Sequence, residues 1–277
     1  MLITLQNAVN EIKASIEEAI LQSGTEGKNN LIRTQKPIKL LHDVVKSELI
    51  RHNVKSDLIR PLLTESNGEL SLSGFFKRKD QDICVIPKSK SPITETLTFD
   101  GILKGTNDMY GYDFTQRCLS VNVRSQLSSS AKNFDTLYER TFAEALNLHL
   151  RCPQMVLGEF YMIAVNEYDS NACNRKEIGF KNINSIERHI EKYLKSFSAV
   201  NLRNDPNSEH YKYERVCLLV VDFSKQQPKI YNSDDELKSD GFLPNNSDAT
   251  IENLSFPNFI EDLIKVYTDR FGEDIFN

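Results

Sequence analysis

The sequence contains no tryptophan and only 4 methionines and 5 histidines. The missing tryptophan decides nothing. The histidines are scattered, with no HxxxH or HxH pair, which argues against a histidine-built metal cluster. No purely apolar run is longer than Val216–Val221, far short of a membrane span, so no membrane partner is expected. The opening stretch MLITLQNAVNEIK has no basic segment and carries Glu11, which predicts no signal peptide. The 5 cysteines (84, 118, 152, 173 and 217) are odd in number, widely spaced and free of any CxxC. That pattern predicts reduced thiols in a cytoplasmic protein and no zinc site. Walker and dinucleotide-binding glycine motifs, internal repeats and low-complexity tracts are also missing from the sequence.

What is present is ordinary globular material: 39% apolar and 26% charged residues over 277 positions, enough for one large domain or a domain with a small helical arm. The formal net charge of −5 argues against indiscriminate nucleic-acid binding. The charge is uneven, however. Residues 201–277 hold 8 basic and 15 acidic side chains, so the first 200 residues carry a net +2 and leave room for a selective DNA surface.

Apolar spacing predicts an amphipathic helix from Leu2 to about Gln22, with Leu5, Val9, Ile12, Ile16 and Ile20 on one side. A polar loop over Ser23–Asn30 follows, then mostly helix from Pro37 to Leu63. Residues 1–64 thus read as a helical arm or subdomain whose stripes suit dimerisation or DNA wrapping, and 65–277 as the core. Glu65–Lys79 reads as a loop. Ile83–Ile86 is a short buried strand stopped by proline, and Leu119–Val123 alternates as a strand. A helix is expected from about Asn133 as N-cap, with Phe134, Leu137, Tyr138, Phe142, Ala145 and Leu148 forming its apolar stripe. Arg140, Glu144, Asn147 and Arg151 share another face, and Glu139 borders the stripe. His149 falls on the apolar side, as a core residue would. Strands over Met155–Tyr168 and Val216–Phe223 and helices over Ile183–Phe197 and Phe259–Phe271 complete an α/β sandwich with a mixed central sheet flanked by helices.

An acidic residue at a strand edge, followed by a strand that ends in a basic residue, suits a site where a carboxylate holds Mg²⁺ against a phosphate and the basic group stabilises developing charge. Asp82 and Arg124 are the candidates here, with Glu139 as a further carboxylate. An Asp ahead of a strand is ordinarily a solvated turn residue, so the pattern is weak by itself. Lys77, Arg78 and Lys79 form a basic loop suited to a DNA backbone, and Ser128-Ser129-Ser130 reads as a plain turn.

Two blocks carry a family resemblance. Leu72-Ser73-Gly74-Phe75-Phe76 through Asp82-Ile83-Cys84-Val85 resembles the segment bearing the metal-binding Asp in type II restriction endonucleases of the Xho kind. Asn122-Val123-Arg124-Ser125-Gln126, with Lys132-Asn133-Phe134, Arg140 and Glu144-Ala145-Leu146, resembles the E-x-K-S-Q strand and following helix of the same family. The helix Glu139–Arg151 is also similar to the permuted-site enzymes that cut CCGG-containing sequences, in which a helix carboxylate replaces the strand one. The resemblance implies a restriction-endonuclease-like fold of the PD-(D/E)XK superfamily over 65–277. It also implies Mg²⁺-dependent, site-specific cleavage of double-stranded DNA, and a homodimer matched to a palindromic site. Two positions depart from the pattern: Asn122 stands for the usual Glu and Arg124 for the usual Lys. The resemblance therefore places catalysis on Asp82 or Asp100, Asn122, Arg124 and Glu139, with Asp82, Asp100 and Glu139 as metal ligands and Glu144 behind Glu139 for the displaced carboxylate. DNA contacts fall to Lys77, Arg78, Lys79, Arg124, Gln126, Lys132 and Arg140. The alternatives are a nuclease-fold protein that binds DNA without cutting and a helical interaction protein.

Overall fold

The structure is a computed structural model. It describes residues 2–63, 65, 67–128, 130–181 and 186–276, with the backbone alone at 130–132 and 186–188. The chain opens with helices α1 (Leu5–Arg33) and α2 (Lys36–Arg51), then a short strand β1 (Ile59–Arg60). A hairpin follows, β2 (Leu70–Ser73) and β3 (Arg78–Gln81), and leads into β4 (Ile83–Val85). A second small hairpin, β5 (Glu95–Thr96) with β6 (Asn107–Asp108), and helix α3 (Tyr112–Thr115) precede β7 (Leu119–Gln126). Then come α4 (Ser130–His149), β8 (Val156–Ala164), α5 (Ser170–Asn174), α6 (Ile186–Ala199), β9 (Arg215–Asp222), β10 (Lys229–Tyr231), α7 (Asp234–Ser239) and α8 (Phe259–Phe271).

Six strands form one mixed sheet in the order β1-β4-β7-β8-β9-β10. β4 runs antiparallel to β1 and β7, β7, β8 and β9 are parallel, and β10 is antiparallel to β9. Strand alternation sorts the apolar side chains between the two faces. Val121, Val123, Phe160, Met162, Leu219 and Val221 pack with α1, α2 and α8, whereas Leu157, Tyr161, Ile163, Leu218 and Val220 pack with α4 and α6. Gly158 lets α8 come close, since a Cβ there would lie 2.9 Å from Leu263 Cδ2.

The mixed α/β sandwich is therefore present, and α8 has the bounds its periodicity predicts. Three local expectations fail for physical reasons. The expected loop at 23–30 is a kink, non-helical at Ser23 and Gly24 only, after which α1 resumes. Gly24 has φ +61°, and a Cβ on it would meet Cys173 O at 2.8 Å, so its glycine serves a turn and a close approach at once. The expected loop at 65–79 contains the β2–β3 hairpin, whose strands are short and polar. Helix α4 begins at Ser130, so Asn133 lies inside it and is not its N-cap.

In place of an outlying arm, α1, α2 and β1 build part of the main core. Val9, Ile12, Ile16 and Ile20 are fully buried in the same cluster as Val121 and Phe160, and β1 is the edge strand of the central sheet. The α1 stripe is covered within the chain, which removes the reason to expect it in a dimer interface.

Candidate active site

Three of the four polar residues expected on one face of α4 are buried, and two of them clamp the β2–β3 hairpin onto the helix. Asn147 Oδ1 accepts from the backbone N–H groups of Phe76 (2.8 Å) and Lys77 (3.0 Å), and its Nδ2 donates to Lys77 O at 3.1 Å. Arg151 donates to Ser73 O at 2.7 Å. Gly74 is needed at this junction, because a Cβ there would sit 2.3 Å from Asn147 Nδ2. The clamp holds β3 against β7 and brings Lys79 to Asn122.

Lys79 Nζ donates to Asn122 Oδ1 at 2.7 Å and to Glu144 Oε2 at 2.6 Å. The same Glu144 oxygen accepts from Arg124. Arg124 Nε lies 3.2 Å from Glu159 Oε1, and Arg124 also approaches Thr141 Oγ1 at 3.4 Å. Asn122 Nδ2 donates to the Tyr213 hydroxyl at 3.2 Å, which in turn donates to Thr141 O at 2.8 Å. One compact cluster thus joins β3, β7, α4, β8 and the approach to β9. Sheet register accounts for its centre: Asn122 is paired with Glu159 across the parallel β7–β8 ladder, and Arg124 follows on the same face.

Glu159 is 0% exposed, and neither carboxylate oxygen has a hydrogen-bond partner among the described residues. Burial raises its pKa, against the lowering pull of Arg124, Lys79 and Asn122, to about 7, and Asn122 stands close enough to favour the charged form without meeting hydrogen-bond geometry. Burial lowers the affinity of Arg124 for its proton, but Glu159, Tyr213, Glu144 and Asp82 outweigh it and hold the guanidinium charged. Burial pushes the Tyr213 hydroxyl well above its ordinary value. Glu144, 6% exposed, is committed to two cations.

Asp82 lies between β3 and β4, where its Oδ2 accepts from Val123 N at 2.8 Å, so it borders this cluster from the neighbouring strand. Asp100 does not join it. That side chain is exposed in a loop and pairs with Lys104. Glu139 is exposed as well. It lies two residues before Thr141, which is about 200° round the helix from the side that faces Arg124, so Glu144 is the α4 carboxylate that reaches the site. Arg140 is exposed beside Glu139, and Lys77 and Arg78 are exposed on the hairpin, Arg78 donating to Asn107 O. Gln126 is half-buried and donates to Ser128 O. The Lys132 side chain lies outside the described residues. His149 is fully buried, as its place on the apolar side of α4 predicts.

Sequence reasoning missed Glu159, Tyr213 and Thr141. For Glu159 the signal exists: it is the single ionisable carboxylate within Val156–Ala164, a strand buried at every position. Among the described residues no group of three or more His, Cys, Asp or Glu side chains converges as a ready-made metal site. Compared with known proteins, the chain matches no family model, no curated protein and no solved structure.

Proposed function

We propose that this protein is a Mg²⁺-dependent endonuclease that hydrolyses both strands of DNA at a short, palindromic site, working as a homodimer. The observation that carries this reading is the buried Glu159. It stands beside Asn122, at the strand slot where the resemblance to restriction endonucleases lacks its carboxylate, and it faces the fixed cation Arg124. The layout around it agrees: Asp82 stands just before β4, the antiparallel partner β7 carries Asn122 and Arg124, and α4 then crosses over to the parallel β8. Such a pairing of a carboxylate with a strand-end cation suits phosphodiester hydrolysis.

Asp82 and Glu159, on either side of β7, are of the donor type that a hard divalent cation takes. Two buried carboxylate oxygens on Glu159 have no hydrogen-bond donor among the described residues, and Asp82 keeps its second oxygen free of the Val123 bond. Mg²⁺ is commonly bound by one or two carboxylates with water and substrate phosphate completing its shell, so a third protein ligand is not required. Asp82 and Glu159 are the residues that would hold it, and when bound it supplies Lewis-acid polarisation of the phosphate and an acidified water. The chain's own groups do the rest. Arg124 stabilises negative charge at the phosphate and, being a guanidinium, does not act as a proton acceptor. Glu144 fixes Arg124 and Lys79, and Asn122 fixes Lys79 through its carbonyl. Exposed Lys77 and Arg78 approach the DNA backbone.

A second reading, DNA binding without cleavage, is favoured by one observation: Lys79 and Arg124 already neutralise Glu144. Incubation with DNA of varied sequence in Mg²⁺ or EDTA, alongside a binding assay in Ca²⁺, separates the two. Discrete fragments in Mg²⁺ alone support the endonuclease; binding with intact DNA in both supports the second reading.

A further inference from the structure

The turn that closes the β2–β3 hairpin is Gly74-Phe75-Phe76-Lys77, and Arg78 opens β3. Its backbone is tied down. Gly74 N–H donates to Lys77 O at 3.0 Å and Phe75 N–H to Asn147 O at 2.7 Å, while Asn147 Oδ1 holds the next two N–H groups. A turn fixed in this way presents its side chains with little backbone entropy left to lose on binding. Yet Phe76 is 49% exposed. Its ring is propped edge-on against Phe75 (centroids 5.1 Å, planes at 82°), and Phe75 stacks on Phe99 (5.1 Å, 16°). Phe75, Phe99, Tyr112 and Leu150 line a groove of about 320 Å³ behind it, and Tyr112 and Leu150 are themselves exposed. One exposed apolar side chain is ordinary, whereas several gathered round one groove mark a binding surface.

The charges at this tip select the partner. Lys77 and Arg78 follow Phe76 directly, both are exposed, and neither forms an ion pair with a described carboxylate. The carboxylates of the groove and its loop are matched: Asp100 by Lys104, and Glu95 and Asp108 by Arg151. Asp80 lies further along β3, opposite Ser71 and toward Glu69. The tip therefore joins an exposed ring to two unpaired cations. Lysine is depleted where protein surfaces meet, whereas a nucleic acid offers phosphates to the cations and a base face to the ring. Lys79, three residues on from Phe76, already touches the Arg124–Glu144 cluster. Three residues of extended chain span about 10 Å, roughly three base-pair steps. We propose that Phe76 is a wedge that stacks on a base of duplex DNA while Lys77 and Arg78 hold the adjacent phosphates. The choice of duplex DNA rests on the endonuclease reading.

The test uses the full-length protein and a labelled duplex of mixed sequence, bound in Ca²⁺ over a salt series and followed by anisotropy. Phe76→Ala is expected to bind about tenfold more weakly with the slope of log affinity against log salt unchanged, the loss of a stacked base. Lys77→Ala is expected to lower that slope by about 1, the loss of a phosphate contact. The chain has no tryptophan, so Phe76→Trp carries a single reporter. Its emission should be strongly quenched by bound duplex and its affinity should match the parent. Leu21→Trp, exposed on α1 across the sheet, should keep its emission. If Phe76→Ala melts early, Phe76→Trp alone decides. Parent-like binding by a folded Phe76→Ala, or Phe76→Trp emission that bound duplex leaves unchanged, overturns the wedge. So does a parent dimer that Phe76→Ala turns into a monomer in sedimentation without any quenching, since a second copy would then cover the tip. Quenching and the affinity loss in a protein that leaves DNA intact in Mg²⁺ keep the wedge while the endonuclease reading falls. Cleavage in Mg²⁺ with no quenching keeps that reading and overturns the wedge. A parent that binds no duplex overturns both.

Discussion

Two glutamates, Glu159 and Glu214, are buried at 0% exposure against adjacent strands of one sheet, and their surroundings could hardly differ more. Glu214 is saturated. Its Oε1 takes Arg203 NH1 at 2.8 Å and Arg270 NH1 at 2.9 Å, and its Oε2 accepts Leu157 N at 2.7 Å with His149 Nε2 3.3 Å away. Burial pushes its pKa up, but His149, Arg270 and Arg203 outweigh burial and bring it down to about 2. Glu159 has Arg124 at 3.2 Å, with Lys79 and the Asn122 side chain as weaker favourable neighbours, and burial still holds its pKa at about 7. The first glutamate ties the end of α4, the start of β9 and α8 together. The second is only partly compensated, and a carboxylate held at a cost in stability is what a site poised for a cation looks like.

The largest effect should come from Glu214. Glu214→Ala strands Arg203 and Arg270 in the interior, so denaturant unfolding should show a loss of about 3–5 kcal/mol. A loss below about 1 kcal/mol would break the contrast by showing that the network contributes little. Glu159→Gln should go the other way: in EDTA at pH 8 the variant should be more stable than the parent by about 1–3 kcal/mol, since a poorly compensated buried charge is gone. Destabilisation similar to that of the Glu214 variant would make Glu159 a second structural ion pair.

Stability against pH sharpens the same contrast, because the two glutamates act with opposite sign. Glu214 has a folded pKa below its unfolded value near 4.5, so its stabilisation is complete above 4.5 and is lost as pH falls through about 2. Glu159 has a folded pKa above the unfolded one, so the folded state binds more protons between 4.5 and 7 and its contribution to stability falls as pH rises through that window. Urea midpoints measured from pH 4.5 to 8 should therefore change less steeply for Glu159→Gln than for the parent. Identical slopes would remove the raised pKa from the account. The smallest effects belong to residues outside both clusters. Glu139→Gln and Asp100→Ala should each stay within about ±0.5 kcal/mol of the parent and keep the DNA cleavage proposed for it, and a Glu139→Gln variant that loses that cleavage would return the displaced carboxylate to the position first expected.

How far these features were legible depended on the range of the physics behind them. Helix α8 and the buried strand β9 follow from short-range periodicity, and they stand where the spacing puts them. The hairpin β2–β3 was not legible, because its strands are polar and gain their order from Asn147 on α4 and Arg151 just past its end, some seventy residues later. The site divides in the same way. Arg124 could be read from the strand that ends on it, and Asp82 from the strand that follows it. Glu159 could not be matched to Asn122, because their pairing is a parallel register set by the α4 crossover and not by any local pattern. Phase along α4 could have separated Glu144 from Glu139 had the inward face been fixed by Thr141, but Thr141 carries no signal of its own. Lys79 was legible only as part of a basic loop; its turn inward depends on the Asn147 clamp.

The most direct test of the central claim is single-turnover cleavage of a DNA that the protein cuts, comparing the parent with Glu159→Gln in Mg²⁺ and in EDTA, with binding in Ca²⁺ as the control for folding. The parent should cut in Mg²⁺ alone. The variant should bind normally and cut at least about a hundredfold more slowly, because the carboxylate beside the reacting phosphate is gone. A Glu159→Gln protein that cuts at the parent rate, or a folded parent that leaves DNA of varied sequence intact in Mg²⁺, would contradict it.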